Sequence, residues 1–278
     1  MERIPFGVRQ FDTTIEGGAP RGSVVLLSGE AGAGSREFMY TSALMNALAT
    51  TGDELFDLYY GDPAADAALP GAVHYVSFTA DESELGAEMA LAMDDEVVDA
   101  GLSGVTFHEL SDHYFHVSPV PRNWYADEAM DIRDLRERQE REDLLTVLGE
   151  TMSAVAPGNL VVVDSLSDLV GAVGDAVDWS DVAYLVQGLQ KAAHQWNGLV
   201  LLHLNHDTVT DTQFGQLTDA VNGTIRFEWE SGGSTRARTM VVSQFRGVLS
   251  RIEDENIVRF ETEIGDAGFD ISDVRKIR

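Results

Sequence analysis

Residues 28–37 read SGEAGAGSRE, directly after the apolar run Ser23-Val24-Val25-Leu26-Leu27 and directly before a helical-looking segment, Glu37–Ala49. Strand, glycine-rich loop and helix are the setting of a phosphate-binding P-loop, G-x-x-x-x-G-K-[ST]. Gly29 and Gly34 have its spacing, and Glu30, Ala31, Gly32 and Ala33 fill the interval. The lysine position holds Ser35, and the Ser/Thr position holds Arg36. In a competent loop the backbone N–H groups and the helix N-terminus surround the phosphates. The lysine then reaches the β- and γ-phosphates, and the hydroxyl binds Mg²⁺. Here the glycines keep the backbone cradle, but both specific side chains are gone, and Glu30 adds a negative charge. Losing one charge-assisted contact costs about 1.5–3 kcal/mol, roughly ten- to a hundredfold in affinity. A tight strand-to-helix turn that needs glycines is therefore preferred over a competent ATP site.

Outward from the loop, short apolar runs at Val24–Leu27, Val73–Phe78, Leu160–Val163 and Leu199–Leu204 look like buried parallel strands. Helical patterns separate them: Glu37–Ala49, Ser83–Met93 with Asp81 as N-cap and Glu84 three residues on, Leu144–Val155, and a segment capped by Ser180. Strands alternating with helices predict a three-layer α/β domain. Thr224–Trp229, Arg238–Ser243 and Ile257–Thr262 then follow with short turns such as Ser231-Gly232-Gly233, and Phe269–Ile271 adds a last short strand. These predict an antiparallel C-terminal extension of the sheet. Asp53–Ala68 reads as a surface excursion, and Leu110–Asp143 as a loop feeding a solvated helix over the charged run Asp127–Asp143. The stretch Asn159-Leu-Val-Val-Val-Asp164-Ser165 puts an acid at the end of a buried strand. A Walker B motif offers Mg²⁺ such an acid; an Asp capping the next turn is the alternative.

The 278 residues suffice for one large domain. Asp and Glu number 47 against 19 Lys and Arg, a net charge of −28. The acids are scattered, and a hydrophobic content of 44% argues against disorder. Dense surface carboxylates suit molar salt, where the Debye length falls to about 3 Å and their repulsion is screened. A halophile's protein is expected, with nucleic acid disfavoured as a partner. Cysteine is absent, which removes disulfides and thiolate-bound metal. No basic, apolar leader is visible at Met1–Gln10 and no apolar run approaches a membrane span, so a cytoplasmic location without membrane contact is expected.

In order along the chain, Gly7-Val8-Arg9-Gln10-Phe11-Asp12, Gly17-Gly18-Ala19-Pro20-Arg21-Gly22-Ser23, the loop, Tyr75-Val76-Ser77-Phe78, Val161–Leu166, Gln244-Phe245-Arg246-Gly247 and Glu261–Ile271 resemble KaiC-like proteins of the RecA superfamily. Among these the chain is similar to haloarchaeal KaiC-like or HTR-like proteins. The resemblance covers nearly the whole chain except Asp53–Pro70 and Leu110–Asp143, so 1–278 is expected to be one RecA-like domain with insertions near 53–70 and 110–143. It implies a RecA-like three-layer P-loop NTPase fold, with a mostly parallel sheet and C-terminal antiparallel strands. It also implies ATP and Mg²⁺ as ligands, with Asp164 as the Walker B acid. The departures are systematic. The family's Lys-Thr is Ser35-Arg36, its pair of catalytic glutamates after Phe78 is Thr79-Ala80, and the lysine of its late K-x-R-G element is Gln244. Arg246 of that element is kept; in the family it is a charge finger reaching across a subunit interface.

Three lost parts of one mechanism predict a pseudo-ATPase, a non-catalytic regulatory or scaffold protein acting through protein partners or by forming a homo-oligomer. No catalytic residue and no metal site is expected, and no cofactor beyond weakly held ATP/Mg²⁺. Gly29–Arg36 with Asp164 form the vestigial nucleotide site. The alternatives are a slow ATPase with Arg36 in place of the lysine and Asp81 or Glu82 as base, or a recombination mediator on DNA. His108, Asp112, His113 and His116 are a weak metal-binding cluster. His203 and His206 are read as surface residues near a turn, although the superfamily places a γ-phosphate sensor at that strand end. Tyr59-Tyr60 and Trp124-Tyr125 are read as packing or partner residues, since no basic groove accompanies them.

Overall fold

The structure, a computed structural model, describes residues 2–116, 118, 120, 121, 124, 125, 144–172, 178–232, 235–249 and 257–276. The charged run Asp127–Asp143 lies outside the described residues.

A two-stranded ribbon joins β1 (Arg3–Ile4) to β2 (Ala19–Pro20). The main sheet contains β3 (Ser23–Gly29), β4 (Val73–Ser77), β5 (Val105–Glu109), β6 (Leu160–Asp164), β7 (Leu199–Asn205), β8 (Gly223–Gly232), β9 (Thr235–Phe245), β10 (Ile257–Gly265) and β11 (Gly268–Lys276). Its order is β11-β10-β9-β8-β3-β7-β6-β4-β5. From β8 to β5 every pairing is parallel; from β8 to β11 every pairing is antiparallel. β3 is central, and all seven of its residues are buried, as a strand covered on both faces requires.

Alternation along the strands separates two cores. Val25, Leu27, Tyr75, Val162 and Leu201 face helix Ser35–Thr51 and the N-terminal segment. Val24, Leu26, Val76, Val163 and Leu202 face the helices Leu144–Val155, Leu166–Gly171 and Trp179–Trp196. The antiparallel strands also pack against helix Ser35–Thr51. Phe269 of β11 lies 5.2 Å from Phe38 and 5.6 Å from Phe227 between ring centroids, and its N–H donates to Thr41 Oγ1 at 2.8 Å.

Several expectations are corrected here. β5 emerges as the edge strand, too polar and too exposed for an apolar-run criterion to find. The segment from Ser83 to Met93 is helical only over Glu82–Ala90, and a second helix runs Asp95–Leu102. The N-cap of helix Trp179–Trp196 is Asp178 rather than Ser180, and Asp178 N donates to Asp181 Oδ2 at 3.4 Å. Ser111–His116 is a helix. The stretch after Asp53 is not a simple surface excursion. Asp53 caps helix Glu54–Tyr59, Phe56 and Tyr60 are buried and stacked at 4.8 Å, and the Tyr60 hydroxyl donates to Asp12 Oδ2.

Asp12 anchors the N-terminal segment. Its carboxylate accepts from Phe6 N at 2.8 Å, Gly7 N at 2.9 Å and Tyr60 OH at 3.0 Å. Burial raises this carboxyl to about 7, against the lowering pull of those donors. Asp12→Ala leaves the donors buried without an acceptor, at about 1–3 kcal/mol each. The expected loss of stability is about 3 kcal/mol or more by urea unfolding; a loss under about 1 kcal/mol would contradict this role.

Candidate functional site

The loop after β3 has the backbone of a phosphate cradle. Gly32 has φ +73° and Gly34 has φ +107°, conformations that side chains rarely adopt, and Ser35 opens a 17-residue helix. A Cβ at Gly29 would collide with the Ser35 hydroxyl. Within the loop Ala33 N donates to Glu30 O at 3.0 Å, and Glu30 N donates to Phe227 O at 3.1 Å. The outer, carbonyl side is clamped by β8 and β9. Trp229 Nε1 donates to Ala31 O and Arg238 Nε to Gly32 O, both at 3.0 Å, with the Arg238 guanidinium 5.0 Å from the Trp229 ring centroid.

Beneath the loop the strand ends bring together a polar cluster. β6 is flanked by β4 and β7, so Asp164 lies beside Ser77, and Val163 pairs with Leu202, the residue before His203. Ser35 Oγ and His203 Nε2 are 3.1 Å apart. His203 Nδ1 lies 3.4 Å from Asp164 Oδ1, and neither atom has a hydrogen-bond partner of good geometry. Tyr75 OH donates to Asp164 Oδ2 at 2.8 Å. Arg36 Nη2 lies 3.6 Å from Asp164 Oδ1, and Arg36 Nη1 lies 3.6 Å from Glu88 Oε2, which accepts from Tyr40 OH at 2.7 Å. Ser35, Asp164 and His203 are all buried. Burial alone would push Asp164 up; the His203 contact and the Arg36 charge outweigh it and hold the carboxyl below its usual value.

These contacts decide whether Mg²⁺ and ATP fit. Where a P-loop has its metal-binding hydroxyl, this loop has Arg36, whose guanidinium lies 3.6 Å from Asp164. Where a P-loop has its lysine, this loop has Ser35, whose hydroxyl lies 3.1 Å from His203 Nε2. The backbone cradle fits a phosphate, but the side chains do not fit the Mg²⁺ that accompanies it.

The other sequence candidates fall apart in space or into structural roles. Asp81 caps helix Glu82–Ala90 in a reciprocal box with Glu84. Arg246 is exposed at the far end of β9. Phe245 pairs with Gly223, which pairs with Val25, four residues before Gly29, so Arg246 stands about 13 Å from the loop along the strands. His108 faces His74, with ring nitrogens 3.1 Å apart, not Asp112 or His113. Among the described residues no group of three or more His, Cys, Asp or Glu is arranged to hold a metal. No helix among them is long and apolar enough to cross a membrane.

The reading of His203 as a surface residue is overturned: it is 6% exposed and central to the cluster. His206 does lie at the turn, where it packs on Phe214. Tyr75, Tyr40, Glu88, Trp229 and Arg238 were not foreseen. The one signal available was position: Tyr75, Asp164 and His203 lie near the C-terminal ends of their strands, where sites in parallel sheets form.

The Arg36–Asp164 contact joins a buried acid to a guanidinium whose side chain is 47% exposed, so it ranks between surface and buried ion pairs. Arg36→Ala is expected to cost about 1–2 kcal/mol at neutral pH. The depressed Asp164 carboxyl gives stability that is present above about pH 4 and lost as pH falls through its folded value. The variant should therefore lose less stability on acidification than the wild type, in unfolding midpoints measured from neutral pH downward. Parallel pH curves would show that Arg36 does not act on Asp164.

No protein-family model and no curated protein sequence matches this chain. Solved structures do match its fold. The KaiC-like protein PH0186 from Pyrococcus horikoshii OT3 superposes with a TM-score of 0.64 at 16% identity, covering 98% of this chain and 99% of that one. The flagellar accessory protein FlaH from Methanocaldococcus jannaschii superposes with a TM-score of 0.59 at 15% identity, over 100% of both chains. At such identities the likeness establishes the fold: this chain has the RecA-like, KaiC-like α/β architecture, a mostly parallel sheet continued by antiparallel C-terminal strands.

Proposed function

We propose that the chain is a pseudo-ATPase: a RecA-like scaffold that does not turn over nucleotide and acts through protein partners. One observation carries this. The Arg36 guanidinium lies 3.6 Å from both Asp164 and Glu88, so a fixed cation stands beside the acid that would otherwise hold Mg²⁺. Thr79 and Ala80 supply no base, and Asp81, two residues on, is engaged in its helix cap. A base must reach the attacking water within hydrogen-bond distance.

The same geometry disfavours a slow ATPase in which Arg36 replaces the lysine, because that guanidinium is engaged by two carboxylates. The net charge of −28 disfavours a mediator on DNA. Scattered acids with a 44% hydrophobic composition support a place in a halophile's cytoplasm. The name of one structural neighbour, a flagellar accessory protein, is of the same kind, a role exercised through others. Exposed Arg246, on the end of the sheet away from the loop, is available to a second copy or another partner.

The test is ATP hydrolysis and binding in about 2 M KCl, a salt level chosen because screening is then nearly complete. No Mg²⁺-dependent turnover is expected. Ser35→Lys with Arg36→Thr should strengthen Mg²⁺-ATP binding about ten- to a hundredfold by restoring a charge-assisted contact. Turnover by the wild type that disappears in Asp164→Ala would overturn the proposal.

A further inference from the structure

The Ser35–His203–Asp164 cluster has a feature that loss of ATP chemistry does not explain. A vestigial loop has no need of a buried hydroxyl, imidazole and carboxylate in line, yet here Ser35 Oγ is 3.1 Å from His203 Nε2 and His203 Nδ1 is 3.4 Å from Asp164 Oδ1. The tautomer with its proton on Nδ1, the ring nitrogen nearer Asp164, leaves Nε2 as an acceptor for the Ser35 hydroxyl. The carboxylate is fixed from its other side by the Tyr75 hydroxyl at 2.8 Å. Distances of this kind are commonly looser before substrate binds and tighten in the complex.

The setting is also that of a nucleophile. Ser35 stands on a strand–turn–helix junction, at the first position of a 17-residue helix. A serine nucleophile on a sharp strand-to-helix turn occurs in unrelated hydrolase folds, and there the partners follow in the chain order Ser, Asp, His. The order here is the same: Ser35, Asp164, His203. Gly34, Ser35 and Arg36 donate no backbone hydrogen bond from their N–H groups among the described residues. Those amides, at the positive end of the helix, are suited to an oxyanion.

We infer that Ser35 is a nucleophile activated by His203 and oriented through Asp164, able to accept an acyl group from a small ester. In the first step the Ser35 hydroxyl proton passes to His203 Nε2 as Oγ bonds to the ester carbonyl carbon. The resulting oxyanion is held by the amides of the loop and helix N-terminus. The carbon–oxygen bond to the leaving alcohol then breaks, and His203 returns the proton to that alkoxide. Acyl-Ser35 and the free alcohol result. Water, deprotonated by His203, releases the acyl group as a carboxylic acid and restores the serine. Ser35 and His203 are the catalytic residues, and Asp164 is a positioning residue. Ser35 is 6% exposed, so the test uses the smallest acyl donor, an acetyl ester. This activity lies beyond the proposed loss of nucleotide turnover and does not depend on it.

The probe is p-nitrophenyl acetate in about 2 M KCl, at the same salt as the nucleotide assay, read by p-nitrophenol release and by intact-protein and peptide mass spectrometry. One acetyl group is expected on Ser35. Ser35→Ala, which removes a single oxygen, should abolish it, and His203→Gln should slow it about a hundredfold or more. Asp164→Asn should slow it about tenfold or more, and Asp164→Glu should restore part of the rate. Unfolding midpoints of each variant separate loss of chemistry from loss of fold. Acetylation that spares Ser35, or that proceeds equally in His203→Gln, would overturn the inference; an unchanged acetylation rate in Asp164→Asn would overturn the role of Asp164. Ser35 acetylation without ATP turnover supports both this inference and the pseudo-ATPase. ATP turnover with an unlabelled Ser35 defeats both, and each fails alone if only its own assay fails.

Discussion

The site depends on how one buried carboxylate, Asp164, is compensated. A carboxylate removed from water must be neutralised or surrounded by donors, or it takes up a proton. Here it is met by protein groups: the Tyr75 hydroxyl on one oxygen, and the Arg36 guanidinium and the His203 ring near the other. The need fixes the orientation of Arg36, and Arg36 in turn reaches Glu88 and, through it, Tyr40. Arg36 is thus a covalently tethered cation beside Asp164.

The surrounding fold holds this arrangement in place. β3, β7, β6 and β4 lie side by side with buried, mostly β-branched or leucine side chains, so the ends of the strands are set by two cores at once. The antiparallel strands add a second constraint. Phe227 and Phe269 close around Phe38, while Trp229 and Arg238 grip the carbonyls of Ala31 and Gly32.

Much of the fold was legible in the sequence because buried parallel strands leave uninterrupted apolar runs. Ser23–Leu27, Val73–Phe78, Leu160–Val163 and Leu199–Leu204 all lie in strands of the main sheet, apart from Phe78 just beyond the end of β4. β5 escaped because an edge strand is only half covered, and its sequence, VTFHE, carries polar residues that solvent tolerates. The capped start at Asp81 was legible from Glu84 three residues on. Ser180 misled because Asp178 offers a better partner to Asp181. The long β10–β11 hairpin was shortened in the sequence reading, since its residues alternate between a covered and a solvated face.

By itself the sequence determined that a glycine loop joins a buried strand to a helix, that Ser35 and Arg36 follow its last glycine, and that Asp164 ends a buried strand. These are local facts, carried by spacing and by apolar runs. Only the tertiary structure decided what those residues touch. His203 is 168 residues from Ser35 along the chain and yet within hydrogen-bond distance of it. Arg246, plausible in sequence, stands at the wrong end of the sheet for its own loop. Strand order and register set both outcomes, and they are long-range pairings that no local pattern encodes.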